Sequence, residues 1–477
     1  MRILKKILIA LVVLLIAAAI AIYFILRGDA AELSVEDVTG TDPTLAEPDP
    51  QTIPTVKIAK PVGWEEGQAP QPAEGLVVNR FAVGIEHPRT ILALPNGDIL
   101  VTLTNAPARI IAGGGLTNLV AGFLFREAGA AVPSPDQVVL LRDADGDGTA
   151  EEQHVLREDL ASPSGLAFRD GKLYIANHDA VLELSYDLGA NALEGEPKKL
   201  MDLPPAGNHW MRNIVLNDEG TRLYVAVGSA SNIGEGGMEI ERGRAAIHEI
   251  NLETGSTRIF ATGLRNPNGL DWNPWTGELW TTVNERDMLG SDLVPDYLTN
   301  VPIGAQYGWP WYYWRDVIDD RVEEPMPSML TGYVRRPEYA LGPHVAALGL
   351  AFTGEGNRMG PGFGQGAFVA RHGSWNRKPP AGYDVVFVSF DDLGNPIGKP
   401  APVLTGFLNE DGTTKGRPTW VAFDATGALL VSDDTGNTIW RVTAPGAEPN
   451  PGHTRNSGEP LPPQRELRGD PARAFEE

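Results

Sequence analysis

The chain contains no cysteine. No disulfide therefore holds the fold, no thiolate ligates a metal or attacks a substrate, and no haem attaches through a cysteine motif. Positive charge is also scarce: 39 Lys and Arg stand against 62 Asp and Glu, for a net charge of -23. That balance disfavours nucleic acid and anionic membrane surfaces as partners. Any anionic ligand must be met by a local cluster of cations. Histidine is sparse enough, at eight residues, for each to be weighed singly.

Glycine and proline are plentiful, at 54 and 39. Many turns suit an all-β fold better than a helical one. The 477 residues suffice for one large domain or two to three ordinary ones. Ile7–Leu26 is an uncharged run flanked by Lys6 and Arg27. Its length matches the roughly 20 residues that span a bilayer and exceeds the roughly 7–15 of a signal-peptide core. The expectation is an uncleaved single-pass anchor in an inner membrane, with cleavage near Ala30-Ala31 as the alternative. Arg2, Lys5 and Lys6 before the run place the N-terminus in the cytoplasm and the body outside that membrane. Residues 1–28 are thus read as stub and anchor, 29–75 as a Pro- and acid-rich tether, and 444–477 as a polar tail without fixed structure.

Between them, residues 76–443 repeat one pattern: apolar strand, turn with Gly, apolar strand. It recurs at Ile91–Leu103, Gly165–Asn177, Asn213–Gly228, Gly269–Val283, Leu348–Arg371 and Trp420–Asp433. The spacing, roughly 48 to 80 residues, reaches and exceeds ordinary propeller repeats. A lone hairpin cannot bury its apolar face, whereas a ring of four-stranded blades can. Six copies predict a six-bladed β-propeller, with the excess length in loops on the binding face.

Equivalent strand ends in a propeller converge on one mouth of the channel. His209, Arg265-Asn266, His344 and Arg417 all precede a repeat's first strand, and Asn284, Glu285, Arg286 and Asp287 follow the fourth repeat's second. His209 is a candidate general base, because imidazole titrates near working pH; packing on Trp210 is the alternative. The aromatic run Tyr307–Trp314 offers Trp309, Trp311 and Tyr312 as faces for a sugar ring, or serves to staple the loop to its blade. Asp143, Asp145 and Asp147, followed by Gly148, form the first half of a calcium loop; His154 stands at its twelfth position, and Glu151 or Glu152 is the candidate substitute.

GLRNPNGLDW, TTVNERDMLGSDLVPDYL, YGWP, LGPHVAALGLAF and ARHGSWNR, in this order, resemble the glucose/sorbosone dehydrogenase family, and more closely its sorbosone dehydrogenase-like branch. The resemblance spans about Leu76 to Val442 and implies a six-bladed propeller that binds pyrroloquinoline quinone (PQQ) and calcium and oxidises an aldose or sugar aldehyde. It implies His209 as base and Arg265 as oxyanion stabiliser. It implies Asn266, Asn268, His344, Asn376, Arg377, Lys415 and Arg417 at the cofactor, with Lys378 assisting, and Glu285, Arg286 and Asp287 at its calcium, partly through main-chain carbonyls. Asn208, Asn268, Asn376 and Lys415 stand where the soluble glucose enzymes of that family carry an acid, Gln, Lys and Arg. Electrons would leave to a separate acceptor, a quinone or cytochrome. Two other classes remain open: a calcium-dependent hydrolase or lactonase with Asn284, Glu285 and Asp287 as ligands, and a tethered binding module without catalysis.

Overall fold

The computed structural model describes residues 28–107, 127, 129 and 132–455. The expected anchor lies outside them, as does the tail beyond residue 455; among the described residues no helix is long and apolar enough to cross a membrane. The expected propeller is there, all-β and six-bladed. Its inner strands are Pro88–Ala93, Gly165–Arg169, Ile214–Leu216, Pro267–Trp272, Ala347–Phe352 and Pro418–Phe423. Each opens an antiparallel sheet that runs outward from the axis, here blades 1 to 6 in that order. Every hairpin read from the sequence forms the two inner strands of a blade.

The ring closes with strands from both ends of the domain. Val77–Val83 pairs antiparallel with Thr438–Thr443 and supplies the outer strand of blade 6. Apolar side chains fill the seams between blades. Phe81, Ile91, Val101, Leu430 and Ile439 interleave between blades 6 and 1, and Leu298, Val345, Val369 and Val388 between blades 4 and 5. Each such burial stabilises by about 1.5–3 kcal/mol. Near the axis the inner strands approach so closely that a Cβ on Gly269 would meet the Leu348 carbonyl, and one on Gly349 the Trp420 backbone.

Excess length does not all leave from the binding mouth. The insertion 301–338 departs from the opposite face of blade 4. It then climbs beside the outer strand of blade 3, Thr257–Thr262, with Gly304 N donating to Phe260 O (2.8 Å) and Tyr307 N to Thr262 O (3.0 Å). This route delivers the aromatic run to the rim of the mouth.

The segment read as a tether lies on that same rim from Asp29 onward. Ala31 N donates to Lys378 O (2.8 Å), Gln51 N to Met288 O (3.0 Å) and Lys57 N to Trp375 O (2.9 Å). Gln71–Pro72 adds a fifth strand to blade 5. At the other end, Asn450 N donates to Asn357 O (2.7 Å), and the His453 ring lies 4.1 Å from that of Trp275.

Phe81 is 3% exposed, so truncating it empties the closing seam. We expect Phe81→Ala to lose about 3–5 kcal/mol in urea unfolding. A loss below about 1 kcal/mol would show that this strand does not carry the closure.

Candidate functional site

Inner strands begin, and second strands end, at one mouth. At the start of the inner strand in blades 1, 4, 5 and 6 the pairing slips, between Pro88 and Ile91, Pro267 and Leu270, Ala347 and Leu350, and Pro418 and Trp420. Such bulges re-aim side chains and release the strand from its ladder. Three of them open with proline, which the first residue of a strand tolerates. The side chains so released form two networks.

The first network joins blades 3, 4 and 5. His209 is half-buried, and its Nδ1 faces the carbonyl and Oγ of Ser229 at 2.9 and 3.0 Å. Ser229 Oγ donates its own hydrogen to Ser231 O (2.7 Å), so both oxygens accept and Nδ1 carries the proton. Nε2 is then a free lone pair, with no protein partner among the described residues. Burial, and then the Arg265 charge, push the His209 pKa down to about 3. The wholly buried Arg212 fixes the turn by donating to the carbonyls of His209 (3.0 Å) and Met211 (2.9 Å).

Arg265 is buried among acceptors. Nε donates to Asn232 O (3.1 Å), Nη1 to Glu285 O (2.5 Å) and more weakly to Asn284 O (3.4 Å), and Nη2 to Asn232 Oδ1 (2.8 Å) and Asp287 Oδ2 (2.9 Å). Every N–H is engaged, so Arg265 offers the pocket charge rather than a free donor. Asp287 reaches on to His344, with Oδ1 3.4 Å from Nδ1, while His344 Nε2 donates to Gly290 O (3.0 Å). Burial raises the Asp287 pKa, but Arg265 and His344 outweigh it and hold the carboxyl below its usual range. Burial lowers that of His344, but Asp287 and the Gly290 carbonyl outweigh it and raise it. His344 itself sits at φ +59° in the left-handed region.

The second network joins blades 5, 6 and 1. Asp434 Oδ2 accepts from Arg89 Nη1 (2.5 Å) and His372 Nε2 (2.9 Å). Arg417 donates from Nε to His372 O (3.0 Å) and from Nη2 to Gly373 O (2.8 Å), and lies 5.3 Å from the centre of the Tyr383 ring. No carboxylate pairs with it among the described residues. Arg89 lies 5.4 Å from the centre of the Trp210 ring, beside His209, and so links the two networks. Burial and Arg417 press the His372 pKa down to about 4. Around this mouth, buried polar atoms lack protein partners: Asn266 Oδ1, Asn268 Oδ1, both amide atoms of Asn213, Arg89 Nε and Asp434 Oδ1. Such orphans are rare in native interiors and mark a place for a polar ligand or water.

Other expected residues are differently engaged. Asn376 donates to Thr55 O (2.7 Å) and accepts from Met288 N (2.8 Å), which braces the loop after Asp287. Arg377 pairs with Asp292 (3.3 Å) and donates to Pro379 O (2.8 Å). Lys415 lies 5.5 Å from the centre of the Trp64 ring, on the N-terminal segment. Glu285 and Arg286 pair at 3.0 Å in full burial, and Arg286 also donates to Pro310 O and Tyr312 O (2.6 Å each), pinning the aromatic loop. The Glu285 carbonyl is taken by Arg265, and that of Asp287 by Asn232 (3.1 Å) and Arg321 (3.0 Å). Asn284 donates to Ala347 O (2.7 Å) and accepts from Asn266 and Asn268. The ligand set of a hydrolase is therefore not assembled from Asn284, Glu285 and Asp287.

Of the aromatic run, Trp309 donates to Asn232 O (2.9 Å) at the first network, Trp311 donates to Glu324 O (2.8 Å), and Tyr312 packs with Leu330 and Val334. The staple describes most of it. Asp143, Asp145, Asp147 and Glu151 converge with ligand oxygens within 4.8 Å, on the hairpin joining the outer strands of blade 1. Glu152 instead pairs with Arg142 (2.9 Å). The sequence reading passed over Arg89, Asn232 and Asp434. In the repeat register Pro88 stands where Pro418 stands in the sixth repeat, so Arg89 falls at the position of Thr419 rather than of Arg417, and the repeat carried no signal for it.

Three comparisons bear on this geometry. Of solved structures, a Trichoderma reesei carbohydrate-active enzyme of family AA12 shares the fold at TM-score 0.64 and 20% identity, over 79% of this chain and 98% of its own. The PQQ domain of a Coprinopsis cinerea pyranose dehydrogenase does so at TM-score 0.61 and 19% identity, over 81% and 100%. The aldose sugar dehydrogenase YliI of Escherichia coli is 28% identical over 122 residues, a stretch covering 23% of this chain and 30% of that protein. Residues 137–301 and 330–445, more than half of the sequence, match the TrAA12-like family, to which the chain belongs.

Proposed function

We propose that this propeller is a PQQ-dependent sugar dehydrogenase that oxidises an aldose or a sorbosone-like sugar aldehyde. One observation carries the reading: the mouth sets a neutral, tautomer-locked His209 beside a cationic pocket in an otherwise acidic protein. Arg89 pairs there with Asp434 and Arg265 with Asp287, while the Arg417 guanidinium pairs with no carboxylate among the described residues. That unpaired cation suits a tricarboxylate. The unpaired guanidinium of Arg417, a donor, and the orphaned amide oxygens of Asn266 and Asn268, both acceptors, fit a polar guest that accepts and donates hydrogen bonds. Arg417, Arg89 and those amides would hold PQQ. When bound, the quinone supplies a two-electron hydride acceptor.

The chain's own part is proton and charge management. His209 Nε2 takes the proton of the sugar hydroxyl, while Nδ1–H stays on Ser229. Arg265 keeps that imidazole neutral beforehand and holds positive potential at the mouth. Asp287 and His344 keep Arg265 in place. The family names above support sugar oxidation, and the absence of cysteine supports electron export to a separate carrier. The acidic loop of blade 1 supports a structural calcium at Asp143, Asp145, Asp147 and Glu151. The run Ile7–Leu26 supports a single-pass anchor that keeps the propeller outside the inner membrane.

The test is titration of the protein with PQQ and calcium, followed by dye reduction on a panel of aldoses and sugar aldehydes. Saturable binding with sugar-dependent reduction is expected; a folded protein that does not bind PQQ would refute the assignment. Arg417→Ala should weaken PQQ binding about 10- to 100-fold, the worth of charge-assisted hydrogen bonds. Arg265→Ala should lower kcat/KM by about 100-fold or more, and near-normal turnover would remove Arg265 from the mechanism.

With its pKa near 3, His209 is already deprotonated throughout the neutral range. The kcat/KM profile should therefore show no fall-off from His209 as the pH drops from 8 to about 5. An inflection at pH 6–7 that disappears in His209→Asn would contradict this.

A further inference from the structure

We infer that the mouth carrying the site faces the bilayer that holds the chain's own N-terminal run. The inference rests on reading Ile7–Leu26 as a membrane anchor and adds an orientation to it. Only Arg27 and Gly28 separate Leu26 from Asp29, three steps of the chain with a reach of about 11 Å fully extended. Asp29 is fixed at the rim: its N donates to Thr55 Oγ1 (2.8 Å) and its carboxylate accepts from Ser291 N (2.6 Å). Two residues on, Ala31 N donates to Lys378 O (2.8 Å), and then Glu32 N and Leu33 N donate to Asp292 Oδ2 at 2.5 and 2.9 Å. Ser291 and Asp292 belong to the loop that carries Asp287, and Lys378 to the loop that carries His372. Both loops leave second strands at the mouth. Chain connectivity alone therefore bounds the gap between the rim and an anchor ending at Leu26 to about 11 Å, a distance of the order of the headgroup layer plus one side chain.

The rim has the chemistry of a surface that meets headgroups. All eleven tryptophans lie in the described residues, and Trp375 alone is exposed, at 42%, on this rim. Lys378 is exposed three residues later, and Lys57 donates its backbone N–H to the Trp375 carbonyl. Tryptophan and lysine are the side chains that settle at the membrane–water boundary. The exposed Glu32 and Asp49 of the N-terminal segment lie on the same rim, so the orientation rests on the fixed Asp29–Leu33 stretch, with Trp375 and Lys378 as its boundary-seeking side chains. The opposite mouth is formed by the hairpin turns of the inner strands, among them Asp170, whose side chain is 87% exposed.

The absence of cysteine makes any introduced one a unique attachment point. The full-length chain, as Trp375→Cys, Lys378→Cys or Asp170→Cys, is labelled with a fluorophore and reconstituted in phosphatidylcholine vesicles carrying nitroxide-labelled lipid. Lipid-borne quenching is expected to be several-fold stronger at positions 375 and 378 than at 170. Equal quenching, or stronger quenching at 170, in protein that floats with the vesicles would overturn the orientation while leaving the anchor intact. Protein that does not float with the vesicles would overturn the anchor, and the orientation with it.

Discussion

Asp287 must stay ionised inside a crowded mouth, and the arrangement around it follows from that requirement. Its carboxylate lies between Arg265 and His344, and its carbonyl accepts from Asn232 and Arg321. Residues of blade 3, of blade 4, of the lead into blade 5 and of the long insertion therefore meet on one residue. Removing one partner of such a pair leaves a charge uncompensated, at about 3–5 kcal/mol for fully buried cases. Asp296, a few residues on, takes the other solution. Burial lifts its pKa to about 7, and it accepts backbone N–H groups of Glu285 and Ala346 to tie the same loops.

The two halves of the mouth divide the work. On the blade 3–4–5 side, charges are matched and bases are locked in one protonation state, as a proton-transfer site requires. On the blade 5–6–1 side, Arg417 is held by carbonyls and aromatic contact without an acid, and Arg89 shares Asp434 with His372. A guest anion meets cations there without displacing an existing ion pair. Trp210, next to His209, meets Arg89 of the other half, so the two halves are in direct contact.

The propeller was legible because hairpin periodicity is local: ILALPNGDILVTL and WVAFDATGALLVSD read as paired strands without knowledge of the rest. His209, Arg265, His344 and Arg417 were legible because a repeat alignment places them at one end of the blades. Arg89 and Asp434 were not, because their meeting depends on ring closure between residues 345 positions apart. Arg377 looked free in sequence; its partner Asp292 sits in another blade's loop and also fastens the N-terminal segment. That segment reads as a tether by composition, since backbone N–H groups, rather than apolar side chains, make many of its contacts. Arg265 shows a further limit: residue type suggested a free donor, whereas its five donors are all engaged.

The closing strand has a consequence for biosynthesis. Val77–Val83 emerges early, but its partner Thr438–Thr443 is made about 360 residues later. At about 5–20 residues per second the strand waits roughly 20–70 s with its hydrogen-bonding edge unsatisfied. Phe81 and Ala82 are exposed during that interval, and Arg80 is the charge that discourages wrong pairing. Blades 1 to 5 can form in order during the delay, whereas blade 6, and with it the meeting of Arg417 and Asp434 with Arg89, is completed last. A chain stopped short of Thr438 carries Arg89, Arg417 and Asp434 but lacks the strand that pairs with Val77–Val83 and closes the ring that brings them together.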